Sequence, residues 1–309
     1  MMFSQNFDPK HTSKLFGHNE SFLFFKNLIL NKKLPNVILL SGHKGIGKFT
    51  IINHLLHYYF DNKNYNVKEN TFSTKSLFHN QFLRNLHPNI FHLNGSDFKN
   101  VKIEDIRELK QKLLKTAMNN DKRFIILDDV ETFNTNSLNA LLKIIEEPNK
   151  NNYFVLINSK TKPLLETIKS RCLEKNIILN SEKINQIILS LGNYFNQKNI
   201  LDKIISNSTP GNILKFNYFF DEKKINFDEG FSYNINIILD FYKKEKDNFY
   251  KDIIFFYVDY YFKKNMSKLN NNTLNYLETR SFVIKNINDF FLYNLNQNTL
   301  INSIESKSL

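Results

Sequence analysis

Apolar positions fall into two regimes that meet near Asn180. Before it, short unbroken apolar runs alternate with stretches of helical spacing. The runs cover residues 37–40, 123–127, 153–157 and 177–179. The helical stretches cover 20–30, 48–60, 101–117, 137–147 and 163–169. A strand that is apolar on both faces is buried on both faces, and strands alternating with helices predict a parallel sheet covered by helices. A polar, asparagine-rich segment, 61–76, is expected to be loop or insertion. After Asn180 the spacing is helical to the end. A break at Thr209-Pro210-Gly211 and a polar patch over 221–230 divide this part. The expected organisation is an α/β domain over 1–180, a small helical unit over 181–225 and a larger all-α unit over 226–309. There is no internal repeat and no sustained heptad pattern.

The first run breaks into Ser41-Gly42-His43-Lys44-Gly45-Ile46-Gly47-Lys48-Phe49-Thr50. Gly42, Gly47 and Lys48 have the spacing of a P-loop, with Gly45 inside the turn. Its backbone N–H groups and helix N-terminus form an anion site. The residue after the lysine should carry a hydroxyl for Mg²⁺, and here it is Phe49. The hydroxyl comes one place later, at Thr50, about 100° further round the helix. The 123–127 run ends in Asp128-Asp129, the place of a metal-binding acid followed by a base. Asp129 is one methylene shorter than the usual glutamate, a misplacement that can cost about 100-fold in rate. Without the P-loop upstream, the two carboxylates would simply end a strand. The residues leave open both a bound, unhydrolysed ATP or ADP and an empty loop. Hydrolysis by this chain is not expected.

Composition adds less. The 309 residues carry a formal charge of +12, nearly all of it lysine, beside abundant Phe, Ile and Asn and no Trp. That bias fits an AT-rich coding sequence, so the basicity alone says little about nucleic acid. Arginine occurs only at Arg84, Arg107, Arg123, Arg171 and Arg280. Where lysine is the default cation, a retained arginine points to forked contacts that lysine cannot make. The single cysteine, Cys172, excludes an intramolecular disulfide and a multi-cysteine zinc site. Residues 1–14 lack the apolar core of a signal peptide. The most apolar stretch, 253–262, is interrupted by Asp259 and falls short of the ~18 residues of a membrane span. A cytoplasmic protein without membrane contact is expected.

Four segments carry a resemblance: Phe16-Gly17-His18, Leu34-Pro35-Asn36, the run from Asn139 through Glu146-Glu147-Pro148, and Ser170-Arg171-Cys172. Together they resemble the AAA+ clamp-loader subunits of bacterial DNA polymerase III, over about residues 14–180. The likeness extends into the helical unit that follows and is faint in the C-terminal third. Within the family it is greatest to the delta-prime branch, with which Gly47-Lys48-Phe49-Thr50 shares the displaced threonine. The resemblance implies a P-loop AAA+ domain, a helical lid and an all-α collar. It implies a non-motor stator in which Arg171 acts in trans, as an arginine finger on the ATP site of a neighbouring motor subunit. Such fingers are worth about 10³–10⁵ in rate. Taken alone, Ser-Arg-Cys is equally compatible with an arginine paired to a local carboxylate. The implied partners are the gamma/tau motor and delta subunits, the sliding clamp and, through the complex, primed DNA.

This sequence departs from the family pattern in several places. The four cysteines of a zinc module are missing, although His87-Pro88 is present, so no zinc is expected. All eight histidines precede residue 93 and are taken as packing or surface residues. Asn212 replaces the arginine of the second sensor after Thr209-Pro210-Gly211. The resemblance implies that Asn158 stands at the first sensor position. The C-terminal aromatics suit a helical core or subunit contact, with stacking on single-stranded nucleic acid the alternative. The rival readings are an ATP-hydrolysing gamma/tau-type subunit and a DNA-binding AAA+ initiator, whose helix-turn-helix module does not stand out here.

Overall fold

A computed structural model describes residues 8–95, 101–114, 122–196, 208–226, 229–266 and 273–307. The chain divides into two compact units. One holds the described residues of 8–187 with 209–211, the other those of 188–208 and 212–309.

The first unit is built on a five-stranded sheet. In chain order its strands are β1 (Val37–Ser41), β4 (Ile90–Asn94), β5 (Arg123–Asp128), β6 (Asn152–Asn158) and β7 (Leu173–Asn176); in space they lie β4-β5-β6-β1-β7. Every pairing is parallel. Leu39 stands opposite Leu156, and Ile126 opposite Val155. Because side chains alternate across a strand, Ile38, Leu40, Ile126, Val155 and Ile157 face one core. The helices α1 (Asn19–Leu30) and α2 (Lys48–Phe60) bring Phe22, Phe25, Ile51 and Ile52 to it. Val37, Leu39, Ile125, Leu127 and Phe154 face the other, closed by Ile106, Leu109 and Leu113 of α4 (Ile103–Leu114) and by Leu138 and Leu141 of α5 (Thr135–Ile145). The covered parallel sheet expected from the apolar runs is present.

Three details differ from the sequence expectation. β4 was not anticipated: it is an edge strand, half-buried along its whole length, and His92 interrupts its apolar run. The last strand is the polar Leu173–Asn176 rather than 177–179, since it too lies at an edge and needs no apolar face; Ile177 is buried just beyond it while Ile178 is exposed. The 61–76 segment holds a small antiparallel pair, β2 (Tyr65–Asn66) with β3 (Thr71–Phe72), and α3 (Leu77–Leu83) follows it. The expected helix over 101–117 is seen as Ile103–Leu114, and its last positions lie outside the described residues.

The second unit is helical throughout its described residues, including Phe231–Glu245, Asn248–Met266, Thr273–Tyr293 and Gln297–Glu305. Its core is aromatic: Phe216, Phe219, Phe220, Tyr250, Tyr257 and Phe262 are buried. Phe241 and Phe291 are half-buried under Lys223 and Lys251, whose amines lie 4.8 Å from the ring centres. These aromatics therefore form core rather than an open stacking face. Among the described residues no helix is long and apolar enough to cross a membrane.

Candidate functional site

β1 ends at the sheet's C-terminal edge between β6 and β7, and the loop after it must turn into α2 within a few residues. Gly47, the residue before α2, has φ +102°, and a Cβ there would lie 2.7 Å from His18 Nε2. Glycine supplies both the conformation and the space. His18 Nε2 donates to the Ile46 carbonyl at 2.7 Å, which fixes the ring as the Nε2–H tautomer; burial lowers its pKa, so it stays neutral. From the other side Thr209 Oγ1 donates to the Lys44 carbonyl at 2.7 Å and the Gly211 N–H to the Gly45 carbonyl at 2.9 Å. A Cβ on Gly211 would stand 2.8 Å from that same oxygen. The Thr-Pro-Gly segment thus lies against the tip of the P-loop.

Lys48, the first residue of α2, is buried. Its ammonium donates to the carbonyls of Gly42 (2.7 Å) and His43 (3.1 Å) and to Ser159 Oγ (3.2 Å). Burial pulls its pKa down to about 8, against the opposing pull of Asp128, Asp129 and Glu131. Ser159 Oγ in turn donates to Asp129 Oδ1 at 2.6 Å. Asp129 has φ +49°, in the left-handed region that Asp tolerates better than most residues. Asp128 keeps some solvent exposure but is densely enclosed by protein. Burial first, then the neighbouring Asp129, pushes its carboxyl up to about 7, while Lys48 pulls the other way.

Glu131 and Ser159 stand out only in the structure. Glu131 Oε1 accepts from the Ser159 N–H (3.0 Å), the Thr161 N–H (3.2 Å) and Thr161 Oγ1 (2.8 Å). It braces the turn that leaves β6. The available signals were slight: Glu131 follows Asp128 by three residues, and Ser159 directly follows Asn158. Asn158 is buried, with its amide donating to Ser41 Oγ at 3.4 Å and its Oδ1 accepting from the Lys160 N–H at 2.9 Å.

Lys48, at the end of the P-loop, is therefore brought beside Asp128 and Asp129. The residues do not fit the usual Mg²⁺ set. Phe49, in the hydroxyl position, is a core residue whose ring centre lies 5.0 Å from that of His92. Thr50 follows it, half-buried. Among the described residues, no three His, Cys, Asp or Glu side chains converge as a metal site.

Arg171 belongs to a second locus, the turn between the short helix α6 (Glu166–Lys169) and β7. Its guanidinium donates from Nη2 to Glu146 Oε1 and from Nη1 to the Thr167 carbonyl, both at 2.8 Å. The pair is solvent-accessible, with side chains 36% and 48% exposed. The adjacent Cys172 donates to the Ile168 carbonyl, and burial pushes its thiol up to about 12. It is therefore no nucleophile at neutral pH.

The family model described as "DNA polymerase III, delta subunit" matches residues 17–181. A DNA polymerase III subunit delta' from Buchnera aphidicola subsp. Schizaphis graminum is 29% identical over 154 residues, covering 49% of this chain and 45% of the relative. A subunit gamma from the same organism is 24% identical over 220 residues, covering 69% of this chain and 58% of the relative. The matched stretches thus span about half the length of those relatives. Among solved structures, a DNA polymerase III gamma subunit-related protein from Thermotoga maritima superposes with a TM-score of 0.53 at 17% identity, covering 93% of this chain and 98% of that one. At that identity the likeness concerns fold alone.

Proposed function

Since this chain belongs to the DNA polymerase III delta-subunit family, a family of clamp-loader AAA+ proteins, we propose that it is the stator of a clamp loader, closest in kind to delta-prime. Its α/β unit packs beside an ATP-hydrolysing gamma/tau subunit and Arg171 reaches the triphosphate held there. Residues 181–225 serve as lid and 226–309 as the collar that joins the motor and delta subunits. The assembly opens a sliding clamp and places it on primed DNA. ATP or ADP bound to this chain's own P-loop has no hydrolytic role in the reading.

One contrast carries the proposal. Lys48 is buried and its amine is spent on P-loop carbonyls and Ser159, whereas Arg171 stands at the surface, its charged partner among the described residues a single carboxylate. A guanidinium in that position can meet a phosphate from outside, where forked, permanently charged donors stabilise the transferring group. The test is reconstitution with motor and delta subunits. Arg171→Ala should cut DNA-stimulated ATP hydrolysis roughly tenfold or more while assembly survives. Unchanged hydrolysis removes the assignment.

The longer match to a gamma subunit favours a second reading, an active gamma/tau-type ATPase. Brisk ATP turnover by the isolated chain, abolished by Lys48→Ala, would establish it. Phe49, Asp129 and Asn212 each alter a position that turnover would use.

A further inference from the structure

We propose that Glu146 stows Arg171 in the free subunit, and that the arginine reaches a phosphate only by exchanging this carboxylate for it. The inference rests on the finger reading above and concerns how that finger is regulated.

Both ends of the guanidinium are occupied in cis, Nη2 by Glu146 and Nη1 by the Thr167 carbonyl, each at 2.8 Å. Glu146 is the C-cap of α5, and its own N–H bonds the Leu142 carbonyl. A carboxylate there faces the negative end of the helix dipole, where a cation is favoured and an anion is not. The Thr167 carbonyl, in a four-residue helix, accepts from Ser170 Oγ at 3.1 Å as well as from the guanidinium. The guanidinium thus answers chiefly the negative charge that Glu146 adds at the end of α5. Glu146 supplies the part that a rival anion can replace.

The exposure of the pair decides the sense of the effect. Neither partner is sealed in, so exchange requires no opening of the fold, and an exposed ion pair is worth little against solvent. A triphosphate brings several negative charges and tetrahedral oxygens suited to the guanidinium fork. In the assembled site it competes with a single carboxylate and wins. In the free chain the carboxylate occupies the arginine and blunts its attraction for phosphates at large. Glu146 is therefore a positioning residue acting through Arg171, and its removal strengthens the contact with ATP in trans.

The test compares wild type, Glu146→Gln, Arg171→Ala and the double variant in complexes reconstituted with motor and delta subunits, varying ATP. Glu146→Gln should lower the half-saturating ATP concentration by about 1.4- to 5-fold, the range an exposed ion pair allows, with no loss of kcat. The shift should vanish in the Arg171→Ala background, and Glu146→Asp, which keeps the charge, should give a smaller one. A fall in kcat at unchanged half-saturation would overturn the proposal, as would a shift that persists without Arg171. The full chain alone gives an independent readout. With only five arginines, ¹⁵N-arginine spectra should resolve the guanidinium of Arg171, slow to rotate in wild type and faster in Glu146→Gln. Equally fast rotation in both would refute stowage and leave the finger assignment standing; unchanged hydrolysis in Arg171→Ala would refute the assignment itself.

Discussion

Buried histidines make the α/β unit sensitive to acid, and His57 allows the effect to be isolated. On α2, His57 Nδ1 bonds the Asn53 carbonyl at 2.9 Å, so Nδ1 carries the proton. Its Nε2 is then the acceptor for His79 Nδ1, 3.1 Å away. The ring stacks on Phe72 at 3.6 Å and meets Phe78 and Phe82 edge-on. Protonating Nε2 would place a charge inside an aromatic box and oblige His79 to give up its Nδ1–H for the other tautomer. Burial accordingly lowers the pKa to about 4; His79 works in the same direction, and the Asn53 carbonyl and Asp61 oppose it. Because the folded value lies below the unfolded value of 6.5, the contribution is complete above about pH 6.5 and is lost as pH falls towards 4. At pH 5 the unfolded chain gains the proton while the folded one does not, a loss of about 2 kcal/mol. His54 and His92, held at about 3, act the same way, whereas Asp128, raised to about 7, acts in the opposite sense. His92 and Asp128 cancel between wild type and His57→Leu, while His54, lowered in part by His57, loses that contribution in the variant, which only widens the difference. Urea denaturation of the α/β unit at pH 7.5 and 5.0, followed by circular dichroism, is the assay. Wild type should lose at least about 2 kcal/mol more than His57→Leu over that interval. Equal losses, within roughly 0.5 kcal/mol, would refute the assignment of a neutral, buried His57.

Two further substitutions probe the scaffold. Gly47→Ala forces a side chain into φ +102° and against His18 Nε2 at 2.7 Å; thermal denaturation should report a loss of roughly 2 kcal/mol or more. Arg123→Lys loses the fork that joins Asn152 Oδ1 (2.8 Å) to the Leu113 carbonyl at the end of α4 (2.7 Å). It should cost about 2–4 kcal/mol in urea melts, and a change below half that would mean lysine can replace the fork.

Legibility from sequence followed burial. β1, β5 and β6 run through the middle of the sheet with both faces covered, so each reads as an unbroken apolar run. β4 and β7 lie at the edges, where one residue in two may be polar, and Ile90–Asn94 and Leu173–Asn176 carry no such signal. The P-loop was legible because its glycines answer a steric demand that leaves few alternatives. The braces around it were not. His18 meets the Ile46 carbonyl, Ser159 meets Lys48, and Glu131 meets the turn behind Ser159, each from a separate element, and nothing local in a sequence marks such partners. Arginine scarcity was informative in an unplanned way. Arg123 caps a helix end and Arg280 pairs with Asp259, so the expectation of forked contacts holds there for architecture rather than chemistry.

Those braces tie the loop into the sheet through the chain's own groups. Lys48 ties the loop to Ser159, Ser159 to Asp129, and Glu131 to the turn after β6, so groups that would meet a nucleotide now hold strand ends together. The arrangement has a cost that can be read. An ammonium whose pKa falls to about 8 in the folded chain, from 10.5, disfavours the folded state in full below about pH 8, where both states hold the proton, and the penalty is relieved as the folded state alone gives it up. Stability should therefore rise with pH between about 8 and 10.5. From pH 7.5 to 9.5 the gain assigned to Lys48 is about 2 kcal/mol. Denaturation across that interval should show it in wild type and lose it in Lys48→Met. The same measurement with saturating ATP speaks to function. A triphosphate on the loop would return negative charge to the ammonium, raise its pKa and flatten the alkaline gain. A gain that survives ATP unchanged would mean that this loop holds no nucleotide at all.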